Sequence, residues 1–107
     1  MANATPTLTD FLLARIAEDE AVARDEQIEN VPADCWGPVR VLAECEAKRR
    51  IVESFADAER AVATYDGNHP TDAYWQEWGN RHALALAVEH LAAVYADHPD
   101  YRDEWRP

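Results

Sequence analysis

The stretch PVRVLAECEAKRRIVESFADAERAVATY, residues 38–65, decides the fold. After Pro38 it contains neither Gly nor Pro, and Val41, Leu42, Cys45, Val52, Phe55 and Val62 recur at three-, four- and seven-residue intervals. That is the period of one face of an α-helix. Opposite charges stand four apart on the other faces, at Arg40/Glu44, Glu44/Lys48, Glu46/Arg50 and Arg49/Glu53. Each such pair contributes only about 0.2–0.5 kcal/mol. The helix is therefore held by whatever its apolar stripe packs against, over a length of roughly 40 Å.

Working outward, Pro32, Gly37 and Pro38 separate this helix from an earlier segment, and Gly67 and Pro70 from a later one. The earlier segment reads as a shorter helix. A Thr hydroxyl at Thr7 or Thr9 can cap its free amides, Asp10 suits the positive end of its dipole, and Leu8, Phe11, Leu12 and Ile16 form a narrow apolar face. Asp25 and Glu26 oppose the dipole at the other end, so the helix is expected to fray beyond Ala23 and give way to a loop over 25–37. The later segment starts at a Thr71 cap and runs to about Ala96, before Pro99. Tyr74, Trp78, Ala85, Val88 and Tyr95 make its stripe, with Trp75, Leu84 and Leu91 widening it, and Gly79 is a point where it could break.

Two long helices joined by a short loop lie antiparallel. The expected fold is thus a single all-α domain over 1–107: a hairpin of two long helices, a shorter N-terminal helix packed across it, a flexible 1–8, and a tail, 97–107, docked on the hairpin. One short helix covers only part of a 40 Å hairpin. Either a homodimer completes a four-helix core, or the ends stay exposed.

The chain has 107 residues with 21 acids against 10 bases, a formal net charge of -11. Nucleic-acid binding rests on Lys and Arg displacing counterions, so direct contact with DNA or RNA is disfavoured. No apolar run approaches the ~18 residues of a membrane span, and MANATPTLTD lacks the charged and apolar regions of a secretory signal. These features point to a cytoplasmic protein. Both ends of the chain are acidic and its middle is neutral, which suits solubility, docking of a basic partner, or imitation of a nucleic-acid backbone.

Chemistry-bearing patterns are sparse. Cys35 and Cys45 form no CxxC pair, and Cys45 falls on the apolar stripe, where a thiol acts as a small hydrophobe. His69, His82, His90 and His98 lack the spacing of HEXXH or paired EXXH sites, so no metal and no cofactor are expected. The remaining ligand candidate is His98, with Asp97 or Asp100 orienting its imidazole. The only Ser is Ser54, within a charged helical run, and neither a GxSxG nor a phosphate-cradling loop is present. No enzyme activity is expected.

Three blocks carry a family resemblance: FLLARIAEDE at 11–20, RVLAECEAKRRIV at 40–52 and ADHPDYRDEW at 96–105. In this order they resemble a family of short proteins of unknown function from actinobacteria, especially streptomycetes, and their phages. The resemblance implies a cytoplasmic or phage-encoded setting and brings no reaction, ligand or catalytic residue with it.

The expected function is protein binding. Trp75 and Trp78, with Arg81 beside them, form one candidate contact, since Trp, Tyr and Arg dominate interaction hot spots. The tail residues Asp97, His98, Asp100, Tyr101, Asp103 and Trp105 form the other, with the acids steering a basic partner. Against this stands the plainer reading that Tyr101 and Trp105, four apart, anchor the tail to the core. Two alternatives remain: an acidic decoy for a nucleic-acid-binding protein, and a small metal- or ligand-binding domain using Cys35, His90 or His98.

Overall fold

The computed structural model describes residues 6–28, 37–65 and 72–107. It consists of α1 (Leu8–Ile28), α2 (Pro38–Ala63) and α3 (Asp72–Ala93), followed by a single 3-10 turn at Asp103–Trp105. There is no strand among the described residues. The fold is all-α, as the stripe spacing requires.

Local chemistry accounts for the helix ends. Thr7 caps α1: its Oγ1 accepts the Asp10 amide at 3.1 Å and its carbonyl accepts the Phe11 amide at 2.9 Å. Pro38 opens α2 directly after the extended Gly37, a position where its missing N–H costs nothing. At the far end of α2 the Thr64 hydroxyl donates to the Ala61 carbonyl at 2.7 Å. Beyond α3 the chain tightens, with amides of Tyr95 and Ala96 bonding to carbonyls three residues back.

Leu12, Ile16, Val52 and Val88 are fully buried, and Phe11, Cys45, Phe55, Ala92 and Trp105 complete the core around them. Each large apolar side chain buried here stabilises the fold by about 1.5–3 kcal/mol. Helices α1 and α3 both run antiparallel to α2. Glu20 of α1 meets Arg49 of α2, Thr9 lies beside Ala56 and Arg60, and Arg81 of α3 reaches back to Glu59. Because α1 begins level with Ala85 and Glu89, it covers only the C-terminal half of α3. Among the described residues the N-terminal half of α3 has α2 alone beside it, and the molecule is long, 58 × 34 × 25 Å.

The structure corrects one expectation. Helix α1 continues past Ala23 and residue 25 to Ile28, because Ala23 is buried and packing outweighs the unfavourable acids at that end. As expected it is the shortest of the three helices and packs closely on the hairpin, lying lengthwise on α2. Helix α3 does not break at Gly79. The Thr71 cap and most of the 25–37 loop lie outside the described residues.

Candidate functional site

Helix α3 is apolar on two sides, and among the described residues only one of them packs on another helix. Val88 and Ala92 are buried, with Leu84, Ala85 and Leu91 packed against the core. At 3.6 residues per turn, Trp75, Gly79, His82 and Leu86 lie roughly 120–180° around the helix from Val88. They face solvent: Trp75 is 56% exposed, Trp78 at the rim 44% and Leu86 46%. Trp78 therefore leaves the core stripe assigned to it from spacing, because it sits about 80° from Val88, at the edge of the buried side.

The two exposed indoles form a connected group with half-buried Tyr65 and Tyr74 at the far end of the hairpin. Tyr65 meets Tyr74 at 5.2 Å between centroids, Tyr74 meets Trp75 at 5.0 Å, and Trp75 meets Trp78 at 6.4 Å, all edge to face. Trp78 stacks flat on His82, with planes 2° apart and centroids at 5.4 Å. On the same face as Trp75, nothing lies within 4 Å of the place a Cβ on Gly79 would occupy.

This face also lacks charge. The exposed residues of α3 are Asp72, Ala73, Trp75, Gln76, Trp78, Gly79, Asn80, His82, Ala83, Leu86, Ala87 and His90, and with His neutral only Asp72 carries a formal charge. On α2, by contrast, Arg40, Glu44, Glu46, Arg50, Glu53, Asp57 and Arg60 are all exposed. Arg81 does not border the aromatic face as expected. It turns inward, with Nη2 3.6 Å from Glu59 Oε2 on α2.

The tail lies elsewhere, separated from Trp75 by about 27 Å of α3 up to Ala93. Asp97, Asp100 and Asp103 are exposed, His98 and Tyr101 half-buried, and Trp105 only 8% exposed. The rings converge on Phe11 of α1. Their centroids lie at 5.1 Å for Trp105, 5.6 Å for His98, 5.9 Å for Tyr101 and 6.3 Å for Tyr95. Trp105 is thus a core anchor, and the tail docks on the helical body as expected: its rings close on Phe11 of α1 and its 3-10 turn packs against α3. Of the expected site residues, Trp75 and Trp78 stay together and the tail group stays together, but the two sets do not form one site.

No carboxylate orients His98. Its Nδ1 accepts the Asp100 amide at 3.0 Å and Arg15 Nη1 lies against the same ring, while Arg15 also pairs with Glu18 at 2.9 Å and stands 5.2 Å from the Phe11 centroid. Among the described residues no group of three His, Cys, Asp or Glu side chains is placed to hold a metal ion. His69 and Cys35 lie outside the described residues. Burial pushes the Cys45 thiol pKa up, with Asp19 and Glu20 adding to the effect, which disfavours the reactive thiolate.

The acids do not form a bare row of carboxylates. Glu44 pairs with Arg40 and Glu46 with Arg50, each at 3.0 Å, Asp103 pairs with Arg106 at 3.1 Å, and Asp57 and Glu104 have Arg60 and Arg102. The groove of about 430 Å³ between the start of α1 and the hairpin is similarly mixed in charge, with Asp10, Glu59 and Glu89 against Arg60 and Arg81. Ser54 lies outside it, its hydroxyl donating to the Arg50 carbonyl at 2.9 Å. Leu86 and the open position at Gly79 are the parts of the aromatic face that spacing alone did not single out.

The chain belongs to a family of unknown function (DUF6221), which it matches over residues 5–107. No curated protein and no solved structure matches it. No helix among the described residues is long and apolar enough to cross a membrane.

Proposed function

We propose that this member of the family is a non-catalytic protein-binding module whose contact surface is the outer face of α3. The observation that carries the reading is the exposure of Trp75 and Trp78, 56% and 44%, in a protein whose Phe11, Phe55 and Trp105 are all buried. Leaving two indoles in water forgoes the burial that makes Trp the leading interface residue, and a partner surface restores it. The working setting we propose is the cytoplasm of an actinobacterium, or of one infected by a phage that encodes the protein.

The acids act at longer range than the rings. They repel acidic surfaces and set orientation, while the uncharged α3 face makes the contact. The decoy reading fares worse, because a phosphate mimic needs unpaired carboxylates in a row and most exposed acids of α2 have Arg partners. A photo-crosslinking residue placed at position 75, and separately at 103, tests the assignment in the producing cell. Protein adducts are expected at 75 in clear excess over 103. Equal labelling, or none at 75, refutes the α3 face as the contact.

A further inference from the structure

We propose that the partner on the outer face of α3 is a second copy of this chain, paired with it antiparallel about a two-fold axis. This rests on the reading of that face as a protein contact and names its occupant.

Trp75, Gly79, His82 and Leu86 alternate in steps of four, three and four residues along the exposed side, which is the spacing of a coiled-coil seam. The buried side of α3 already holds its own stripe through Val88 and Ala92. A helix apolar on both sides is one that is covered on both sides. Within this chain, among the described residues, only the inner side has a helix against it.

Charge selects the occupant. A basic protein is drawn to the acids of α1, α2 and the tail, whereas the exposed residues from Trp75 to His90 carry no formal charge with His neutral. Two copies, each at -11, repel one another most weakly where they bring no carboxylates together. The uncharged seam is that place.

Shape selects the direction. In an antiparallel pair with the axis between Gly79 and His82, Trp75 packs on Leu86 of the partner subunit and His82 fills the open space at Gly79 of the partner subunit. Both contacts occur twice, as two-fold symmetry requires. A parallel pair would instead set Trp75 on its own copy and leave two glycines facing each other across a void. The two half-exposed indoles supply about 100 Å² each, and a stable interface needs about 800 Å² per partner. The dimer is therefore modest, with dissociation in the micromolar range.

Light scattering of the full chain from about 1 μM to about 1 mM spans that range. The wild type is expected to pass from monomer to dimer. Leu86→Glu and Trp75→Lys, both at exposed positions, are each expected to weaken the dimer by about tenfold or more while circular dichroism stays unchanged. Mixing the two variants is expected to restore the doubled mass, because only an antiparallel seam sets position 75 against 86. A wild type that stays monomeric throughout, with Trp emission open to quencher, overturns self-pairing and leaves the face to a different protein. A dimer indifferent to both substitutions overturns self-pairing here and the choice of the α3 face with it. Two variants that fail to rescue each other overturn the antiparallel arrangement.

Discussion

Glu20 is only 7% exposed, and its two carboxylate oxygens meet the guanidinium of Arg49, with Nη1 donating to Oε2 at 2.7 Å. The hydrogen bond to Arg49 is the main reason its pKa lies below the ordinary carboxylate value, and it outweighs the opposing effect of burial. The same contact raises the Arg49 pKa. Since the folded-state pKa of Glu20 is below the unfolded one, about 4.3, its contribution is present in full above that value. It is lost as the pH falls from there through the folded-state pKa. Glu20→Gln removes the charge while Arg49, 26% exposed, keeps Glu46 at 3.6 Å. The expected cost is about 2 kcal/mol, less than the cost of breaking a fully buried pair. Urea unfolding at pH 7 and at about pH 3 checks both points: the variant starts weaker and loses less on acidification. Equal acid sensitivity in the two proteins would place the titrating pair elsewhere.

At the scale of elements, α3 carries a glycine in mid-helix with open space around it. Ala there has no neighbour to strain and saves backbone entropy, so Gly79→Ala is expected to stabilise the dilute protein by about 0.5–1 kcal/mol, read as a higher Tm by circular dichroism. A lower Tm would mean that the helix needs its glycine for a bend. The helices themselves were legible because their punctuation is chemical: Thr7 caps, Pro38 opens, and no Gly or Pro interrupts 39–65. The end of α1 was not legible, since Asp25 and Glu26 argue for stopping while the packing of Ala23, which no local rule contains, argues for continuing. Periodicity likewise could not tell the two sides of α3 apart, because both repeat apolar residues at helical intervals. Spacing puts Trp78 on the core side for that reason, and it does not distinguish Leu86 on the exposed side. The reverse held in the tail, where the four-residue spacing of Tyr101 and Trp105 announced an anchor. Its docking surface, Phe11, lies some 90 positions earlier in the sequence, beyond the reach of any local pattern.

The whole molecule is stretched. Its radius of gyration is 17.0 Å, where a compact domain of this length has about 13 Å. In the distal hairpin, α3 before Arg81 lies against the last turns of α2, where α1 gives no cover. Two helices alone bury little, and local opening there costs less than global unfolding. Hydrogen exchange in the dilute protein should therefore show amides of 76–84 exchanging well before those of 88–93, although both belong to one unbroken helix. On the proposed self-pairing, raising the concentration from about 1 μM to about 1 mM should slow the first group and leave the second unchanged, because the residues from Trp75 to Leu86 lie on the weakly held half. Uniform exchange along α3 at every concentration would mean that the distal hairpin stands without outside help, and the need for a second copy to cover it would disappear.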